Sequence, residues 1–183
     1  KNKDIIPVRL GGCFTGTFEE RFKARTSQWF RKIAALRSAI KLGHKRVVFL
    51  DSDTIFLRKV NEEKLDSIFE NYSCFYHMGS HRSSKGMGVE SGIIGFDMSK
   101  GKNEILEDVF KKYSDGTFKD YKRWDDAWMF TMAIKENPHI KTKDLVKKDV
   151  ETLNVVEIGE LSGYFEHHKG IHWRKHGVVF NGS

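Results

Sequence analysis

The sequence predicts an α/β fold: a single domain with a central, mostly parallel mixed sheet flanked by helices. Three observations predict it. Two short continuous apolar runs, "RVVFL" (46–50) and "GIIGFDM" (92–98), have the length and composition of strands covered on both faces. Around them lie segments whose apolar residues recur at helical spacing. The chain has 183 residues, 39% apolar and 13% aromatic, with two prolines and no repeat or polar linker, so residues 1–183 read as one domain around one core.

Each element carries its own signal. Residues 22–42 predict a helix, because Trp29, Ile33, Leu36 and Ile40 recur at spacings of four, three and four, and Gly43 stops it. "RVVFL" follows as a strand. "NEEKLDSIFENY" (61–72) opens on an Asn cap and carries Leu65, Ile68 and Phe69 on one side, so it predicts a helix. "SCFYHM" (73–78) predicts a strand, and the Gly- and Ser-rich "GSHRSSKGMG" (79–88) a mobile loop. After the strand at 92–98, residues 101–113 form a helix through Ile105, Val109 and Phe110. "DDAWMFTMAI" (125–134) is a further helix, ended near Pro138. The stretch "GYFEHHKGIHWRKHG" (163–177) has little pattern and many His, Lys and Arg residues.

Composition narrows the function classes. The net charge of +7, from 32 Lys and Arg against 25 Asp and Glu, suits an anionic ligand. No nucleic-acid-binding module accompanies it. Two cysteines, Cys13 and Cys74, make neither a disulfide framework nor a zinc cluster, which favours a reduced compartment. No apolar run approaches the ~20 residues of a membrane span, and no secretory signal is visible. The triplet "NYS" (71–73) fits a glycosylation acceptor, a pattern common by chance.

The chemistry concentrates in "RVVFLDSDTIFL" (46–57), where two carboxylates end an apolar strand. Ligands bind at the carboxyl ends of strands in such sheets. In a strand, Asp51 and Asp53 point the same way. Two adjacent carboxylates repel, so a cation belongs between them, and a hard divalent ion suits oxygen ligands. Two enzyme classes use this arrangement. One is the metal-dependent glycosyltransferase, whose Asp-x-Asp holds Mn²⁺ against a nucleotide-sugar diphosphate. The other is the haloacid-dehalogenase-like phosphatase, whose first Asp is a nucleophile and which "WDDAW" (124–128) also resembles. The motif alone leaves both open.

The surrounding segments resemble the first class. "WFRKIAALRSAI" (29–40) resembles the Trp-x-Lys-Ile/Leu-x-x-Leu-Arg helix before Asp-x-Asp in glycosyltransferase family 34, and more loosely family 8, through Lys32, Ile33, Leu36 and Arg37. "ESGIIGFDMS" (90–99) resembles the Asn-Ser/Ala-Gly strand, with Glu90 in place of Asn. "DDAWMF" (125–130) resembles the Asp-Gln helix start, with Asp126 in place of Gln. "HHKG" (167–170) resembles the closing His-x-x-Gly. The four motifs occur in family order across residues 25–175. The family's fold is glycosyltransferase-A, a Rossmann-like sheet. Its first, base-binding strand has no convincing counterpart here, and "DIIPVRL" (4–10) is a remnant of it or the second strand.

The resemblance implies a UDP-sugar donor, Mn²⁺ (or Mg²⁺) and a glycan or protein acceptor. It implies Asp51, Asp53 and His167 as metal ligands, with His168, His172 and His176 as competitors for the last place. It assigns Lys32, Arg37, Asp51, Ser52, Ser91, Gly92, Lys169, Gly170 and Arg174 to donor binding; the plain alternatives are an acid partner for Arg37, a packing role for Gly92 and a solvated basic face for Lys169 and Arg174. Asp125 and Asp126 start a helix, where acids are favourable, and the functional reading puts one of them beside the sugar to orient donor and acceptor; Trp124 and Trp128 stack on sugar or fill core. The loop at 79–88 is either a lid that orders over the donor or a plain connection. Both families retain anomeric configuration, which makes retention the expectation. The rival readings are a Mg²⁺ phosphatase with Asp51 as nucleophile and a non-catalytic nucleotide-sugar-binding domain. The expected compartment is the cytoplasm for a complete chain, or the Golgi lumen for a piece of an anchored protein.

Overall fold

The computed structural model describes residues 18–100, 102–146 and 155–167, with side chains from residue 25 onward. "DIIPVRL" and Cys13 lie outside this range. Helix α1 (Phe18–Ser38) runs on through a 3-10 turn (Ala39–Leu42) and stops at Gly43, whose φ of 74° is left-handed and favours glycine. Strand β1 (Arg46–Leu50) leads through a turn into β2 (Thr54–Phe56). Helix α2 (Glu62–Phe69) starts where the Asn61 side chain accepts from the Lys64 amide. Strand β3 (Cys74–His77), the short helix α3 (Gly79–Ser84) and strand β4 (Glu90–Asp97) follow. Helix α4 (Glu104–Asp115) is capped by Asn103, and helix α5 (Asp126–Glu136) by Asp125. Strand β5 (Thr142–Asp144) and strand β6 (Phe165–His167) complete the described elements.

The result is a mixed α/β fold with a mixed sheet between helices. Its strand order is β1-β4-β3-β5, and β2 pairs with β6 in a separate two-stranded ladder. The sheet is mixed, as expected, and three of its four described strands, β1, β3 and β5, run one way. β4 runs antiparallel to β1 and to β3, and among the described strands only β3 and β5 pair in parallel. The reason is topological. β1 and β3 both oppose β4, so they share a direction with each other and with β5, as alternating strands and helices require. The chain turns back after β3, however, and inserts β4 into the gap between β1 and β3. Strand β1 pairs only with β4 among the described residues and is half-buried rather than covered on both faces.

β4 is the centre of the molecule, buried from Glu90 to Phe96. Its alternate residues feed two cores. Ile94 and Phe96 pack with Ile33 and Leu36 of α1, Ile105 and Val109 of α4, and Met129 and Phe130 of α5. Ile93 faces the other way, into Ile68 and Phe69 of α2, Phe75, Leu145, Leu161 and Phe165. The segment at 79–88 is therefore not the loop the sequence suggests. Its first six residues are helical, and buried Arg82 ties it to β4. No helix among the described residues is long and apolar enough to cross a membrane.

The second core depends on Gly95. A Cβ there would stand 2.1 Å from Cε1 of Phe75, so the ring occupies the space of the missing side chain. Gly95→Ala is expected to cost ~1–3 kcal/mol by overpacking. Urea unfolding checks this, and Phe75→Leu in the same chain should recover part of the loss.

Candidate metal centre

The site is built where β1 ends. The Asp51 amide continues the ladder, donating to the Gly92 carbonyl at 2.8 Å, and the chain then turns sharply as the Thr54 amide donates to the Asp51 carbonyl at 3.0 Å. This turn, not strand alternation, brings the two carboxylates to one place. It also launches β2, whose register sets Thr54 opposite His167 of β6. His167 Nε2 lies 3.1 Å from Asp53 Oδ1. One donor atom each from Asp51, Asp53 and His167 falls within a 4.8 Å group. The imidazole is 2% exposed, against 40% and 37% for the side chains of Asp51 and Asp53. The group is thus closed behind the ring and open on the carboxylate side.

Gly92 is its floor. A Cβ there would lie 2.6 Å from His167 Cε1, 3.1 Å from His167 Nε2 and 3.0 Å from Asp51 Oδ2. Only a residue without a side chain lets the imidazole and the carboxylate share this ground. The adjoining Ser91 is buried, and its carbonyl accepts from Lys32 Nζ at 2.6 Å.

Lys32 is the cation of the site. From α1 its ammonium reaches Asp126 Oδ2 at 2.7 Å and Asp51 Oδ1 at 3.5 Å, over the ring of Phe49. It therefore joins α1, β4, α5 and the β1–β2 turn. The other donor-side expectations divide. Ser52 is exposed in the turn. Asp126 is buried with Lys32, but Asp125 serves its own helix. It accepts from the Trp128 amide at 3.0 Å and from Arg123 Nε at 2.8 Å. Arg37 is not in this group. Its Nε bonds Glu107 at 2.8 Å and its guanidinium covers Phe110, beside a cavity of about 490 Å³ between α1 and α4. Arg37 sits five residues after Lys32, more than one helical turn on, which turns it toward α4. Trp124 packs edge-on to Phe118 at 5.5 Å, and both Trp124 and Trp128 border the first core. Lys169, Gly170, Arg174, His168, His172 and His176 lie outside the described residues.

The residue that sequence reasoning missed is Arg82. Its Nη1 lies 3.1 Å from Glu90 Oε2, and its other nitrogens donate to the carbonyls of Gly88 and Val89. An arginine in a Gly- and Ser-rich segment ahead of a buried strand carrying an acid was the available signal.

The electrostatics are those of crowded acids. Burial pushes the Asp51 carboxyl above its usual range, Asp126 and Asp53 add to the rise, and Lys32 and His167 oppose it. Two carboxylates and one imidazole are a donor set suited to a divalent ion that accepts both oxygen and nitrogen. His167 Nδ1 is buried without a hydrogen-bond partner among the described residues, and Nε2 is the nitrogen turned to Asp53.

Comparison with known proteins adds little. No family model and no curated protein matches the chain. Among solved structures, the chain is similar to mouse xyloside xylosyltransferase 1 in its apo form. The identity is 12% and the TM-score 0.43, over 81% of this chain and 73% of that one. At this level the likeness establishes neither a shared activity nor a shared substrate.

A pH-dependent stability follows from Asp51. Its folded pKa is raised, so the fold favours the protonated acid. The parent therefore loses stability as pH climbs from the ordinary carboxylate range through the raised value. Asp51→Asn escapes that loss. Without added metal it should melt above the parent, by a margin that widens through this window and then levels. A margin that narrows with rising pH would falsify the burial account.

Proposed function

We propose that the chain is a glycosyltransferase that moves a hexose or related sugar from a UDP-sugar to a glycan or protein acceptor. In this reading Asp51, Asp53 and His167 hold Mn²⁺ (or Mg²⁺). The observation that supports it most is the convergence of His167 with an acid 114 positions earlier, over a glycine that no side chain can replace. The family order of the sequence motifs supports the same reading. Two carboxylates and an imidazole suit Mn²⁺ better than Ca²⁺, which prefers oxygen alone.

When bound, the ion supplies the positive charge that offsets charge growing on the departing diphosphate. The chain does the rest. Asp51 and Asp53 would hold the ion on the open side of the group, the side from which a diphosphate can reach it. Ser52 in the turn, with Lys169, Gly170 and Arg174 beyond His167, is assigned to phosphate and ribose contacts. Lys32 holds Asp126 by Oδ2, leaving Oδ1 as an acceptor for a sugar hydroxyl. Ser91 and Gly92 form the wall beneath the sugar. Among the described residues, no side chain presents itself as a clear covalent nucleophile at this wall. Retention through same-face attack, with the leaving phosphate as base, is therefore the mechanism assigned.

Thermal denaturation with UDP tests the metal bridge. UDP with Mn²⁺ should stabilise the protein by at least ~2 kcal/mol at a hundredfold excess over its Kd. Equal stabilisation in EDTA refutes the bridge. His167→Ala should weaken Mn²⁺-dependent UDP binding, and turnover with it, by ~10²-fold, the upper range for disturbing a metal site. A titration that matches the parent removes His167 from the ligand set.

Slow hydrolysis of a UDP-hexose, with a phosphate monoester left intact, is the expected activity. Rapid monoester hydrolysis, or an aspartyl-phosphate analogue trapped on Asp51, replaces the proposal with the phosphatase. UDP binding with no hydrolysis or transfer replaces it with the binding domain.

A further inference from the structure

The Arg82–Glu90 pair touches none of the three candidate ligands, yet it is among the most buried charge pairs described. Arg82 is 5% exposed and Glu90 6%. Glu90 divides its carboxylate. Oε2 takes Arg82 Nη1 at 3.1 Å, and Oε1 accepts the Gly92 amide at 3.2 Å. The Gly92 peptide is thus held from both sides, since its carbonyl accepts the Asp51 amide at 2.8 Å. Gly92 in turn is the surface on which His167 and Asp51 rest. Arg82 is fixed independently, by donating to the carbonyls of Gly88 and Val89 at 2.9 and 3.3 Å. Behind it, the Val89 amide donates to Thr131 Oγ1 at 2.9 Å, and Gly88 lies against Ala127 with no room for a Cβ.

We infer that Glu90 is a positioning residue for the metal centre, with Arg82 as the counter-charge that lets it be buried there. The Glu90 carboxylate, neutralised by Arg82, sets Gly92 at the height that lets Asp51 and His167 approach one ion. This rests on the metal reading above. It also assigns Glu90 a role directed away from the substrate. Its carboxylate is spent on a guanidinium and a backbone amide, where the resembled families carry a neutral Asn. A charged residue is tolerable there because Arg82 neutralises it inside the fold.

The inference separates charge from hydrogen bonding, and paired variants test the two apart. Arg82→Met with Glu90→Met replaces the ion pair by an apolar one of similar size, a change that buried pairs often tolerate. It also removes the acceptor of the Gly92 amide. Arg82→Met with Glu90→Gln keeps an oxygen for that amide. Binding of Mn²⁺ alone, followed by electron paramagnetic resonance, is the readout, with melting temperature measured alongside.

The Met/Met protein should melt below the parent, as Met/Gln should, because both lose the Arg82 bonds to the Gly88 and Val89 carbonyls, but it alone should bind Mn²⁺ ~10-fold more weakly or worse, as for a lost supporting contact. The Met/Gln protein should bind close to the parent. Met/Met binding as tight as the parent's overturns the inference, and so does equal weakening in both doubles. Glu90→Gln alone is the second arm, should Met/Met not fold. It should melt lower because Arg82 loses its counter-charge, yet keep its Mn²⁺ affinity; a ~10-fold loss there overturns the inference too. A parent that binds no Mn²⁺ removes the metal reading and this inference together, whereas the other failures leave the metal reading standing.

Discussion

The contact between Gly92 and the groups above it governs this molecule. A strand in the middle of a packed sheet ordinarily presents a side chain at every position, but this one, as at Gly95, presents none at Gly92. The gap admits an imidazole from one end of the described chain and a carboxylate from just after its first strand, at distances where a methyl group would collide with both. The rest of the architecture serves that approach. β1 and β4 are locked in register so that Asp51 arrives beside Gly92. The short β2–β6 ladder brings His167 to the same point from the opposite side.

Charge is the second constraint. Asp51, Asp53 and Asp126 are gathered within reach of one another's fields, and Lys32 is the cation that bonds two of the three. An ammonium on a long flexible stem suits this task, because it can donate to three acceptors on different elements at once. Its third acceptor is the Ser91 carbonyl. Lys32 thereby connects the electrostatics of the centre to the backbone that forms its floor. The fold keeps acids close together at some expense in stability, as sites organised for binding commonly do.

Legibility in the sequence followed the length of each signal. Helices α1, α2, α4 and α5 announce themselves through apolar spacing, and the Asn61 cap marks the start of α2. Strands β1, β3 and β4 show as apolar runs. Strands β2, β5 and β6 have three residues each, too few for alternation to register. α3 has no apolar period at all, because a buried arginine anchors it and not a hydrophobic face. The antiparallel entry of β4 between β1 and β3 leaves no local mark, since pairing partners are a long-range property. In the site, Asp51, Asp53 and His167 were named from motif spacing, and the structure brings them together. Asp125 and Arg37 were named the same way and are spent elsewhere, one on a helix cap and one on Glu107. Motif spacing identifies the residue type a position favours, whereas helix phase and local capping decide which way the side chain is used.

The pairing of Thr54 with His167 sets an order of events in the making of the protein. The two aspartates leave the ribosome long before the histidine exists, with more than a hundred residues of α2, β3, β4, α4 and α5 between them. During that interval β1 can find β4, and Asp51 can settle beside Gly92, as an acidic turn lacking its third member. Loop closure over such a separation is slow relative to local folding. The main sheet is therefore expected to form first and to wait for the last described strand. A nascent chain stalled anywhere before Phe165 would display the acids without the imidazole, so the three side chains can meet only after β6 has been made.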